Sequence, residues 1–290
     1  MILSPDGHAD RPVRVDRRGG DTVLVKRYVA GGAEAVHSAM CALWASPFGR
    51  SRRPPGLPRP RGVDPVRGEV EMQFLTGDLI GSRGDPGLSV GLTPDVGRLL
   101  LDLHRSGVRV DRRRDPAALV RSGRRKVDEL TRAAGPRSAV PALARQVVEG
   151  LAAAIGPTGR LVVSHGDFSP RNVLLTASGL VLIDFDRLQM AEPARDISYW
   201  GAWHWVTGLS SGHLPTWQVG DDLAESYLRS SSGHRDDVSP SWTFYRVSAL
   251  LRIVHGWSSL QSAPDLTTKV LREALRLLAA GPPAHLVPSN

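Results

Sequence analysis

The stretch from Val162 to Trp200 constrains this chain more than any other. It contains the run His165-Gly166-Asp167-Phe168-Ser169-Pro170-Arg171-Asn172 and, further on, Ile183-Asp184-Phe185-Asp186. Leu161 to Ser164 is mostly apolar and bounded by polar residues, which predicts a short buried strand. Val173-Leu174-Leu175 predicts a second strand, and Ser178-Gly179 a tight turn. Leu180 to Ile183 predicts a third strand carrying Asp184 at its end. Two carboxylates and one carboxamide are thereby brought to one edge of a small hairpin. A turn-rich hairpin whose Asp and Asn only cap backbone groups would use the same residue types. It would not require His-x-Asp-x-x-x-x-Asn followed by Asp at a strand end, and that compound spacing is the specific signal.

The residue set suits phosphoryl transfer. That chemistry asks a protein to position an acceptor hydroxyl and to hold Mg²⁺ on phosphates, with little covalent work of its own. Asp167 is the candidate base that orients the hydroxyl and accepts its proton. Asn172 and Asp184 supply hard oxygen ligands of the kind Mg²⁺ takes. Ser169 offers no charge to a transferring phosphoryl group, so Arg171 is the candidate for that duty. Asp186 is a candidate for assisting the metal, contacting the acceptor or capping the following turn.

The same stretch resembles the aminoglycoside phosphotransferase and choline kinase-like family, small-molecule relatives of the protein kinases. His165-Gly166-Asp167 is closer to that family's His-Gly-Asp than to the His-Arg-Asp of protein kinases. Glu192-Pro193-Ala194-Arg195-Asp196-Ile197 resembles its Asp-Pro-Ala-x-Asp-[Leu/Ile] run. No Ala-Pro-Glu segment and no long activation loop follow Asp184, which argues against a phosphorylation-switched protein kinase. The resemblance extends over roughly Val13 to Trp257. It implies an α+β, two-lobe protein-kinase-like fold, with a small antiparallel N-terminal lobe over residues 1–75 and a larger, mainly helical lobe over 76–290. ATP and Mg²⁺ are the implied cofactors, with ATP between the lobes.

Other residues acquire roles through that resemblance. Pro12 to Asp16 and Thr22 to Tyr28 alternate as strands around Gly19-Gly20, a β-hairpin pattern. Lys26 on the second strand resembles the lysine that grips the α- and β-phosphates. Glu34 is the one carboxylate of the helix predicted over Ala33 to Trp44, and it is either the ion-pair partner of Lys26 or a first-turn residue serving the helix dipole. Val66 to Leu75 reads as a strand running into a hinge, where Met72 would flank adenine and Gln73 and Leu75 would offer backbone carbonyl and amide. Ser4 to Asp10 would be the phosphate-covering loop, and with Gly7 alone it is poor in the glycines that let backbone amides approach phosphates. Asp196 either holds the catalytic loop or is an ordinary first-turn Asp.

Elsewhere, Pro47 to Pro65 is rich in Pro, Gly and Arg and predicts a surface loop. Thr93 to Ser106 is amphipathic, with His104 near its end, and Ala117 to Ala134 and Val140 to Ile155 are further helices. From Pro193 to Leu278 the chain is mainly helical, with a polar break at Ser230 to Ser239 and a frayed tail expected from Pro282 to Asn290. Six of the seven tryptophans fall in this last part. Most are expected to be core, with Trp200, Trp203 and Trp257 the candidates for lining an acceptor pocket.

Composition narrows the classes. The 290 residues include 41% hydrophobic and 23% charged side chains, ordinary for a globular protein. No apolar run is long enough to span a bilayer, and the N-terminus has no signal-peptide pattern. The single cysteine, Cys41, excludes an internal disulfide, fits a cytoplasmic protein, and is expected in a helix core. The net charge of +8 is read as solvated arginine rather than as a nucleic-acid surface, since no basic stripe interleaves with aromatics. Residues 197–290 hold seven acids and seven bases. A polycationic acceptor wants an acidic surface, so a neutral or anionic acceptor is expected. The leading expectation is therefore an O-phosphotransferase acting on a small-molecule hydroxyl, first of all an antibiotic in resistance or self-protection. It would work as a monomer or weak dimer, without nucleic acid or membrane. A choline, sugar or metabolite kinase, and a catalytically weak nucleotide-binding regulator, are the alternatives.

Overall fold

The computed structural model describes residues 13–28, 32–81, 91–133, 138–231, 241–257 and 263–281. The expected phosphate-covering loop Ser4 to Asp10, most of the polar break up to Ser239 and the tail from Pro282 lie outside the described residues. The chain divides into two compact units. One takes His8–Arg112 and Val162–Met190, and the other takes Arg113–Leu161 and Ala191–Asn290 together with Met1–Gly7. Compactness thus groups the central hairpin with the N-terminal segment.

The first unit is built on alternation. Strand β1 (Val13–Arg18) and strand β2 (Asp21–Arg27) form the expected hairpin, closed by Gly19 and Gly20, both with positive φ. Such a two-residue loop matches the right-handed strand twist. β3 (Pro60–Asp64) and β4 (Glu69–Gln73) complete an antiparallel sheet in the order β1-β2-β4-β3. Val23 and Val25 of β2 and Val70 and Met72 of β4 are buried on one face, as a period of two requires. Helix α1 (Gly32–Ala45) packs against β3 and β4 through Ala33, Met40 and Leu43. Cys41 is exposed rather than core, because it falls off that apolar face; its Sγ lies 3.6 Å from His37 Nε2. Partial desolvation of its thiol raises its pKa rather than activating it.

The segment expected to be a surface loop from Pro47 to Pro65 is instead structured. Helix α2 (Pro47–Arg50) starts where Ser46 Oγ accepts from the Phe48 amide at 3.2 Å, with Pro47 in the first turn. Phe48 and Leu57 are both 1% exposed, so two apolar anchors override the Pro- and Arg-rich composition. Strand β5 (Asp78–Leu79) follows, too short to show in the sequence. It pairs with β7 (Val173–Thr176), which pairs with β8 (Gly179–Leu182). β6 (Val162–Ser164) pairs with β9 (Gln189–Ala191). Helix α3 (Thr93–His104) packs on β6 and β8, with His104 buried in its last turn.

The second unit is helical: α4 (Pro116–Ala133), α5 (Val140–Ala153), α6 (Ala194–Ser210), α7 (Gln218–Ser230), α8 (Trp242–Gly256) and α9 (Pro264–Ala280). α6 is buried on every side from Asp196 to Val206. It crosses α7 at Gly201 and Gly220, where a Cβ on Gly220 would stand 2.7 Å from the Gly201 Cα. Among the described residues no helix is long and apolar enough to cross a membrane.

Charge also ties the sheet of the first unit together. Glu69 is buried and accepts from Arg14 through both oxygens, at 2.7 and 2.8 Å, and from Arg27 at 2.9 Å. The hydrogen bonds from Arg14 and Arg27 lower its pKa to about 2. A depressed folded pKa gives stability that is present above the unfolded value of about 4.3 and lost as pH falls towards the folded one. Glu69→Gln is therefore expected to melt below the wild type at neutral pH. The difference should close as thermal melts are taken from about pH 4 down to about pH 2.

Candidate active site

The loop between β6 and β7 places the expected base. Gly166 has φ +75°, and a Cβ there would meet the Arg187 carbonyl oxygen at 2.3 Å, so the chain between His165 and Asp167 requires glycine on two counts. His165 is fully buried and its Nε2 donates to the Ile183 carbonyl at 2.9 Å. That bond ties the Asp167 loop to the residue before Asp184. Asn172 Nδ2 donates to the Asp167 backbone carbonyl at 2.7 Å. The carboxamide is thereby oriented with Oδ1 as the acceptor left to other partners. The Asp167 side chain keeps 14% exposure, and Arg187 Nε stands 3.8 Å from its Oδ2.

Asp184 has φ 64° and ψ 68°, and it is the one non-glycine residue with positive φ among the described residues. That conformation costs an L-residue about 1–2 kcal/mol. It reverses the chain into a 3₁₀ turn at Phe185–Arg187 and aims two carboxylates at one lysine. Lys26 Nζ stands 2.7 Å from Asp184 Oδ1 and 2.8 Å from Asp186 Oδ2. Tyr28 Oη donates to the other Asp186 oxygen at 2.7 Å. Burial pulls the Lys26 pKa down, but the charges of Asp184 and Asp186 override it and hold it above the ordinary value. For Asp184, burial and the neighbouring Asp186 and Asp167 charges outweigh Lys26, and its pKa is raised. For Asp186 burial is opposed by Lys26 and by the hydrogen bonds it receives, and its pKa is lowered.

Two expected assignments change. Glu34 is exposed in the first turn of α1 and forms no ion pair with Lys26, whose partners are Asp184 and Asp186. The helix N-terminus suffices to accommodate Glu34. Asp186 is not presented to an acceptor: its side chain is 8% exposed and both oxygens are engaged. Arg171 is half-buried in the short turn Pro170–Asn172. Met72 is buried on β4. The Gln73 amide donates to the Arg59 carbonyl at 2.8 Å. Leu75 lies in the segment 74–77, between strands β4 and β5.

Among the described residues no group of three or more His, Cys, Asp or Glu is placed to hold a metal ion alone. Mg²⁺ does not need one, because it is commonly held by one or two carboxylates together with substrate phosphates. The Asn172 carboxamide oxygen and Asp184, whose side chain keeps 27% exposure, fit that mode.

The acceptor-side candidates lie in the second unit. Trp200 is fully buried and packs on His204, with ring centroids 5.3 Å apart. It is a core side chain, not a stacking platform. Trp203 and Trp257 are each 8% exposed and meet edge to face at 6.3 Å. Arg246 is sandwiched between Trp217 and Trp242 at 4.6 and 4.8 Å while paired with Asp221, so those rings are occupied by the protein itself. Tyr28 and Arg187 are site residues that sequence reasoning missed. Tyr28 sits two positions after Lys26 and therefore on the same strand face, a signal available from strand periodicity.

The family model described as APH, phosphotransferase enzyme family, matches residues 70–237, more than half of the chain. No curated protein matches. Solved structures that resemble the fold include a choline/ethanolamine kinase family protein from Mesorhizobium loti, at 16% identity and TM-score 0.63, covering 93% of this chain and 92% of that one. A spectinomycin phosphotransferase in complex with ADP and spectinomycin is 12% identical, with TM-score 0.60 and coverage of 97% and 92%. A type VIII aminoglycoside-3'-phosphotransferase is 19% identical, with TM-score 0.56 and coverage of 85% and 91%. The fold is accordingly the expected α+β, protein-kinase-like one, with a small antiparallel sheet and a mainly helical portion.

Two outcomes follow from this geometry. Gly166→Ala should lower stability in denaturant melts by more than the about 1–2 kcal/mol of the left-handed backbone alone, because the Arg187 carbonyl must also move. Because burial and neighbouring carboxylates raise the Asp184 pKa, a cation that takes this carboxylate should release a proton as pH is lowered towards the point where the carboxylate titrates. Calorimetry in buffers of different ionisation enthalpy should show that release, and it should vanish as pH rises and in Asp184→Asn.

Proposed function

The chain belongs to the phosphotransferase enzyme family, and from that premise we propose that it moves the γ-phosphoryl group of ATP, with Mg²⁺, to a hydroxyl of a small molecule. One observation carries this reading. Lys26, Asp167, Asn172 and Asp184 belong to one compact unit, with Lys26 on Asp184 and Asn172 on the Asp167 backbone. Mg²⁺ held by Asn172 and Asp184 would neutralise phosphate charge. Asp167 orients the acceptor hydroxyl and takes its proton, with Arg187 Nε 3.8 Å from its Oδ2. The bonds His165 to Ile183 and Asn172 to Asp167 fix the distance between base and metal ligands before any substrate arrives. Lys26 grips phosphates, and Met72, Gln73 and Leu75 line the adenine end of a nucleotide lobe over 1–75. Arg171 offers the positive charge that Ser169 does not.

The acceptor is taken to be neutral or anionic, and first of all an antibiotic, with Trp203 and Trp257 the remaining candidates for contacting it. Balanced charge over residues 197–290 supports that choice. Cytoplasmic action as a monomer or weak dimer goes with this reading. The test is phosphate transfer from ATP–Mg²⁺ across a panel of antibiotics, nucleosides, sugars and amino alcohols. A phosphorylated product should form with one acceptor class, and Asp167→Ala should slow it by about 10²–10⁴-fold. Turnover undiminished in Asp167→Ala would remove Asp167 from the base role.

A further inference from the structure

Lys26 has an unusual pair of partners for a residue expected to grip phosphates. One of them, Asp184, is the candidate metal ligand. A lysine held by that carboxylate alone would lose its anchor whenever Asp184 turned to a metal. The helix carboxylate Glu34, expected to supply an independent anchor, is exposed and forms no ion pair with Lys26. We infer that Asp186, braced by Tyr28, is the positioning residue for Lys26 and does the work expected of Glu34. The inference rests on the kinase reading above.

The geometry separates the two aspartates. Asp184 keeps 27% side-chain exposure and contacts Lys26 through Oδ1. Asp186 keeps 8%, gives Oδ2 to Lys26 at 2.8 Å and has Oδ1 held by Tyr28 Oη at 2.7 Å. With both oxygens committed to protein, Asp186 is poorly placed to ligate a cation and well placed to stay put. Tyr28 contributes twice, since Lys26 Nζ also lies 5.6 Å from its ring centroid. The placement follows from the backbone. Lys26 and Tyr28 share a face of β2 and its extension, two residues apart. The positive φ of Asp184 followed by the 3₁₀ turn Phe185–Arg187 returns Asp186 to the same ammonium. Asp184 can then be released to other partners while Lys26 remains fixed over the site.

ATP–Mg²⁺ binding measured by calorimetry tests this without any knowledge of the acceptor. Asp186→Asn should weaken binding about tenfold, and Lys26→Met by at least as much. The double variant should bind no more weakly than Lys26→Met alone, because Asp186 acts through Lys26. Asp186→Glu should restore most of the loss, which a merely structural defect would not allow. Tyr28→Phe, which removes one hydroxyl from the brace, should weaken binding about threefold in the Lys26 background of the wild type and have no effect in Lys26→Met. If Asp186→Asn fails to fold, the Tyr28→Phe pair alone decides. Additive losses in either cycle overturn the inference and leave the kinase reading intact. Absence of ATP–Mg²⁺ binding by the wild type overturns the kinase reading, and this inference with it.

Discussion

One ammonium group stands between two carboxylates, and the first unit is arranged around it. Lys26 comes from an N-terminal strand, Asp184 and Asp186 from a turn far along the chain, and their contacts at 2.7 and 2.8 Å close the site. Breaking a buried pair by removing one partner costs on the order of 3–5 kcal/mol, since the remaining charge is left uncompensated. The fold supplies the matching geometry through the left-handed Asp184. Asp184 and Asp186 share the one Lys26 ammonium, so carboxylate charge exceeds cationic charge there, and a divalent cation would offset that surplus.

The loop that carries Asp167 is held by two hydrogen bonds. His165 reaches across to Ile183, and Asn172 reaches back to the Asp167 carbonyl. Each bond uses a side chain whose chemistry the sequence displays, but whose partner is backbone. The glycine between His165 and Asp167 is there because the Arg187 carbonyl occupies the space a side chain would fill.

Much of this was legible in the chain itself. The spacing from His165 to Asn172 and the strand ending before Asp184 announced the loop and hairpin, because short strands bounded by turn residues have a strong local signature. The hairpin at Gly19-Gly20 was legible for the same reason. The partner of Lys26 was not. Asp186 meets it only because Asp184 adopts a left-handed conformation, which Asp tolerates better than most residues but takes in only a small minority of positions. The structure of 47–65 was hidden by composition: Phe48 and Leu57 bury themselves despite the surrounding prolines and arginines. Trp200 was assigned to a pocket by residue type, yet α6 is buried all round, and a helix without a polar face gives no sign of which side meets a ligand.

The central claim is that Asn172, Asp184 and Lys26 form a site for a metal-bound nucleotide. Titration of ATP into the wild-type protein, with Mg²⁺ and then with a chelator, tests it most directly. The account predicts one-to-one binding with Mg²⁺ that weakens by an order of magnitude or more, about 1.4 kcal/mol per tenfold, when the metal is removed. Binding of equal strength with and without Mg²⁺ would contradict it.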